Sequence, residues 1–106
     1  MATEQPSNLP DNLQELQDSR ESVYGPWQAN MAGTSLQIDG MLQNYIAAND
    51  IGMAADDLTL PEWWTPLCMC AVKLNRIASG HYHEDSFKDL RVYLSFVERM
   101  QKQEQR

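Results

Sequence analysis

Apolar residues recur along this chain at intervals of three, four and seven, in four separate stretches, and that period points to α-helices. In the first stretch the repeat is carried by Leu13, Leu16 and Val23, with Asp11 or Asn12 placed to cap the helix. Tyr24-Gly25-Pro26 is placed to end it, because glycine accepts the left-handed terminating conformation and proline blocks continuation. From Trp27 onward a second stripe runs through Met31, Ile38, Met41, Leu42, Tyr45 and Ile46, crossed by Gly33 and Gly40. An interior glycine costs a helix about 1 kcal/mol against alanine, so both are expected to mark close helix crossings or local bends. The chain then loosens through Asn49-Asp50-Ile51-Gly52 and the acidic Asp56-Asp57, read as a connecting loop.

Two start signals compete for the third helix. Thr59-Leu60-Pro61 and Thr65-Pro66 are both cap-and-proline pairs, so either the helix is kinked near Pro66 or a short turn precedes a helix over 66–79. Its buried stripe is Leu67, Cys70, Ala71, Leu74, Ile77 and Ala78, and Gly80 ends it. After His81-Tyr82-His83-Glu84, Asp85 or Ser86 is expected to cap a fourth helix carrying Phe87, Leu90, Tyr93, Leu94, Val97 and Met100, with residues 101–106 fraying. So short a link makes the last two helices antiparallel neighbours. The predicted fold is all-α: a small bundle of four principal helices with a C-terminal antiparallel helical hairpin.

A length of 106 residues suits one domain. We read 1–10, with two prolines and little to bury, as a mobile N-terminal arm and 11–106 as a single helical domain. At that size stability is marginal and self-association is a natural supplement, so a homo-oligomer is expected. Eight Lys and Arg against fifteen Asp and Glu leave a net charge of −7 without a basic run, which argues against duplex nucleic acid as partner. Net charge does not exclude a compact cationic pocket, since a few well-placed cations hold one phosphate. The sequence shows no run long enough to span a bilayer and no signal-peptide pattern at its start, so a cytoplasmic protein is expected. Cys68 and Cys70 diverge on a helix and read as reduced core residues.

The most informative residues sit late in the chain. Lys73 and Arg76 share one face near the end of the third helix, and Asp85 and Asp89 share one at the start of the fourth, with Tyr93 one turn further on. Across the hairpin these groups should meet. One reading is a structural clasp, with Arg76 on Asp85 or Asp89 fixing the register. The other is a binding site in which Lys73 and Arg76 hold an anion such as a phosphate while the acids and Tyr93 orient them; a metal site is a third. Arg20, Tyr24, Trp27 and Asn30 form a second group, readable as a packed helix end or as a surface on which a ligand base stacks on Tyr24 or Trp27. Trp63 and Trp64 point about 100° apart on a helix, and at least one is expected at an interface between subunits, with a ligand wall or partial core packing as the alternatives. The pairs His81/His83 and Cys68/Cys70 lack matching ligands for zinc. No phosphate-binding glycine loop or nucleophile motif is present, so no catalytic residue is assigned.

Arg20, Tyr24, Gly25, Asn30, Lys73, Arg76, Ile77, Gly80, Asp85, Asp89 and Tyr93 together resemble the pattern of a family of uncharacterised small bacteriophage proteins, over residues 20 to about 100. More distantly the chain is similar to the MazG-like all-helical nucleotide pyrophosphohydrolases, which hold magnesium with E-x-x-E on one helix and E-x-x-D on a later one. Here Lys73 and Arg76 take the place of the first acidic pair, and Asp85 and Asp89 are spaced by four rather than three. The resemblance implies a phage accessory protein of the host cytoplasm. It would bind a small anionic, nucleotide-derived ligand, as a sequestrant of a host defence signal, without catalysis and without a cofactor. Two alternatives go with it: a degenerate pyrophosphohydrolase using Asp85 and Asp89 with Mg2+, or an interaction module acting on a host protein.

Overall fold

A computed structural model describes residues 11–51 and 59–105, without the side chains of Asp11 and Val23. It contains four helices, α1 (Asp11–Tyr24), α2 (Trp27–Ala48), α3 (Trp64–Ile77) and α4 (Glu84–Glu104), and no strand among the described residues. The all-α class is thus borne out. The predicted arm at 1–10 and the Asp56-Asp57 loop lie outside the described residues.

Helix α3 is the hub. It packs most extensively on α4 and next on α2, while α1 leans on α2 with the least contact of the three packed pairs. Burial follows the same order: Trp64, Pro66, Cys70 and Ala71 of α3 and Ser86 and Val97 of α4 are buried, whereas no described side chain of α2 is. Both thiols are free, and burial pushes that of Cys70 above its ordinary range.

The two start signals of the third helix resolve in favour of a preceding turn. Trp64 N–H donates to the Pro61 carbonyl and Thr65 N–H to that of Glu62, a tight turn that leads into α3 at Trp64. Pro66 therefore falls in the first turn, where its missing N–H is not needed, and it neither kinks nor breaks the helix. Helix α4 begins earlier than the cap expected at Asp85 or Ser86. His83, with extended backbone (φ −143°, ψ 111°), occupies the cap position without a side-chain bond. Its C-terminal turn holds to Glu104, where fraying from residue 101 was the expectation.

Helix α2 is continuous through both glycines, and they differ in environment. A Cβ on Gly33 would stand 2.6 Å from Asn75 Oδ1, so α2 and α3 approach closely there; a Cβ on Gly40 would meet nothing within 4 Å. The chain end of α1 is fixed by Gly25 at φ +85°, whose N–H donates to the Glu21 carbonyl (2.9 Å). Glu21 also caps α2, accepting from the Trp27 N–H at 3.2 Å. At the far end of α2, Tyr45 sets its ring edge-on to both Trp63 and Trp64 (5.9 and 5.6 Å), and the two indoles lie stacked at 5.8 Å and 19°.

Candidate binding groove

Tyr24, the last residue of α1, is held from three sides. Asn30, one turn into α2, donates its amide to the Tyr24 carbonyl (3.0 Å), and Asn75 of α3 donates in turn to the Asn30 carbonyl (2.9 Å). The Arg76 guanidinium stands over the Tyr24 ring, 4.9 Å from its centroid. The Tyr24 hydroxyl lies 2.9 Å from His83 Nδ1, joining α1 to the residue that precedes α4. Stacking of this kind contributes about 0.5–1 kcal/mol at exposed sites and leaves the guanidinium edge free for other partners.

Around that node lies a cavity of about 320 Å³. Helix α1 contributes Leu16, Ser19, Arg20 and Tyr24; α3 contributes Lys73 and Arg76; and the start of α4 contributes Asp85, Ser86 and Asp89, with His83 beside them. Six of the eight ligand-binding residues predicted from sequence are thus brought together: Arg20, Tyr24, Lys73, Arg76, Asp85 and Asp89. Tyr93 is not among them; its ring sets edge-on to Phe96 at 6.4 Å. Asn30 lines the neighbouring cavity, its amide engaged with the end of α1.

The charges inside the cavity are unequal. Lys73 Nζ is 2.9 Å from Asp89 Oδ2, with the lysine side chain 11% exposed. That hydrogen bond, helped by the charges of Lys73, Arg76 and His83 and opposed by partial burial, holds the Asp89 carboxyl below its usual 3.8. Lys73 is therefore committed to Asp89. Arg20 and Arg76 have no carboxylate within ion-pair distance among the described residues. On the cavity wall Ser86, 2% exposed, carries a hydroxyl without a hydrogen-bond partner. Such a group costs about 1–3 kcal/mol unless something satisfies it.

Leu16, Arg20, Tyr24 and Arg76 also face a second cavity of about 430 Å³, between α1 and α2. This one is mainly apolar, lined by Leu13, Trp27, Met31 and Val72 among others. Both volumes fall in the range of about 300–1,000 Å³ usual for small-molecule sites. Sequence reasoning passes over His83 and Ser86 as site residues, treating one as half of a weak metal pattern and the other as a helix cap. Their positions two before and one after Asp85 were the available signal.

Trp63 and Trp64 stand apart from this groove, facing a cavity between α2 and α3 that also includes Tyr45. Trp64 is buried within its own chain and Trp63 is half-buried against it. The described residues contain no group of three or more His, Cys, Asp or Glu arranged to hold a metal ion, and no helix among them is long and apolar enough to cross a membrane. Compared with protein families, with characterised proteins and with solved structures, the chain matches none.

Proposed function

We propose that this chain binds a small anionic, nucleotide-derived ligand in the groove between α1, α3 and α4 and does not transform it. The carrying observation is the pair of guanidinium groups, Arg20 and Arg76, that line one cavity and have no carboxylate partner among the described residues. An anion there would meet both groups, and arginine's planar fork suits the oxygens of a phosphate. Lys73 takes a supporting role, since its ion pair with Asp89 neutralises one acid and lowers the repulsion an anion would meet. Asp85 lines the same cavity, beyond ion-pair distance of the arginines. The likeness to small phage proteins supplies the biological setting: an accessory protein of the host cytoplasm, self-associating, that sequesters a nucleotide signal.

The clasp reading draws on the Lys73–Asp89 pair, which ties α3 to α4 whether or not a ligand is present. It leaves Arg20, on α1, unexplained. For the hydrolase reading, Asp85 and Asp89 would have to gather magnesium beside two arginines and a lysine already bound to one of them, which disfavours a dication.

Thermal shift against linear and cyclic nucleotides and inorganic phosphate tests the proposal. A ligand at 100 times its Kd adds about 2.7 kcal/mol, or roughly 10 °C or more in a domain of this size. Arg20→Ala removes an exposed side chain that has no carboxylate partner among the described residues, and is expected to leave the ligand-free Tm unchanged while abolishing the shift. A flat panel overturns the proposal. Release of phosphate from a nucleotide, lost in Asp89→Asn, would replace it with the hydrolase.

A further inference from the structure

The two cavities share a wall, and that wall includes both arginines. Arg20, Tyr24 and Arg76 face both the polar cavity beside α4 and the apolar cavity between α1 and α2. A ligand held by its anionic group at the arginines therefore has an adjoining space for its remainder. That space is walled by apolar side chains that the fold leaves open: Leu13 is 43% exposed, Trp27 46% and Met31 63%, on two helices facing one concavity. Apolar surface gathered in a concavity, next to cations that have no carboxylate partner among the described residues, is the arrangement of a binding cleft.

We infer that the groove takes an anion carrying a flat, weakly polar ring, in one piece: the ring between α1 and α2 against Trp27, Met31 and Leu13, the anionic group at Arg20 and Arg76. The inference rests on the anion site proposed above and adds the half of the ligand that site leaves undefined. A second copy of this chain is the less fitting occupant. An apolar contact between copies would bury the charges of Arg20 and Arg76 without a counter-charge, a desolvation that an anion on the ligand relieves. Tyr24 sets the geometry of the junction. Arg76 covers one face of its ring and His83 meets its hydroxyl, so the ring separates the two subsites and cannot swing into either without breaking both contacts.

Calorimetric titration with a purine nucleoside monophosphate, the corresponding nucleoside and inorganic phosphate separates the parts. The monophosphate is expected to bind at least tenfold more tightly than either of the others. Met31→Gln and Leu13→Gln, both at open positions on different helices, are expected to lower its affinity to that of inorganic phosphate and to leave phosphate binding unchanged. Trp27 fluorescence, isolated as the difference from Trp27→Phe, should respond to the monophosphate and not to phosphate.

Equal affinity for monophosphate and phosphate, or variants that weaken both alike, overturns the ring subsite while the anion site survives. Binding of none of the three overturns both. A Leu13→Gln protein whose mass in solution falls relative to the parent, with unchanged monophosphate affinity, assigns the groove to a second copy and overturns the inference.

Discussion

Gly33 and Gly40 lie on the same helix seven residues apart, yet the same substitution at each should have unequal effects. At Gly40 an alanine meets open space and gains helix propensity, so Gly40→Ala is expected to stabilise by up to about 1 kcal/mol. At Gly33 the new methyl would displace the Asn75 amide, which donates to Asn30 at 2.9 and 3.2 Å and thereby supports the end of α1. Loss of those bonds offsets the propensity gain, leaving Gly33→Ala less stable than Gly40→Ala by about 1–2 kcal/mol in urea unfolding. The sequence placed both glycines as crossings or bends and had no means of separating them, because the separation lies in Asn75, a polar residue forty-two positions away from Gly33 with no periodic signature.

Asp89 offers a residue-scale prediction in pH. Its carboxyl is held below its usual range in the folded chain, so it takes up a proton less readily when folded than when unfolded. Its stabilising contribution is therefore present above the unfolded carboxylate pKa and is lost as pH falls through the lower folded value. Lys73→Met removes the largest cause. Denaturation midpoints of the parent should fall more steeply than those of Lys73→Met as pH drops below about 4. Parallel curves would mean that the ion pair contributes nothing to folding, as exposed pairs often do.

Among the elements, α3 carries most of what is buried, and its first turn anchors α2 as well. Trp64, 5% exposed, is gripped between Trp63 and Tyr45. Trp64→Ala should cost about 3–5 kcal/mol, a large share of the stability of a domain this small, and should move the denaturation midpoint more than any substitution on α1. Helix identity was legible because 3.6-residue periodicity survives in all four segments. The boundaries were less so: Thr59-Leu60-Pro61 carries a cap signal as good as that of Thr65-Pro66, and only the turn bonds of Trp64 and Thr65 decide between them. The groove was legible as charge, through Lys73, Arg76, Asp85 and Asp89 at helical spacing. It was not legible as shape, because the apolar cavity arises where Leu13 and Leu16 of α1 fail to reach a covering helix, and exposure cannot be read from a stripe.

For the molecule as a whole, the radius of gyration of 17.6 Å exceeds the roughly 13 Å of a compact domain of about 100 residues. Leu36, Leu74, Val92, Leu94 and Phe96 are exposed outside the groove. In keeping with the self-association proposed above, light scattering at micromolar concentration should give a mass at least twice the 12.1 kDa of the chain, and Leu36→Asp, at the most exposed of these sites, should reduce it. A monomeric parent would remove self-association from the functional reading without touching the groove.

The Tyr24–His83 bond and the Arg76 stack have a kinetic corollary. Helix α1 forms one wall of both cavities, yet it rests on the bundle chiefly through that single tyrosine and the asparagine relay beside it. Detachment of α1 and dismantling of the groove are then one event, so amide protons of α1 should exchange faster than those of α3 in the free protein and slow in proportion to ligand saturation, while those of α3 slow only as far as the ligand raises global stability.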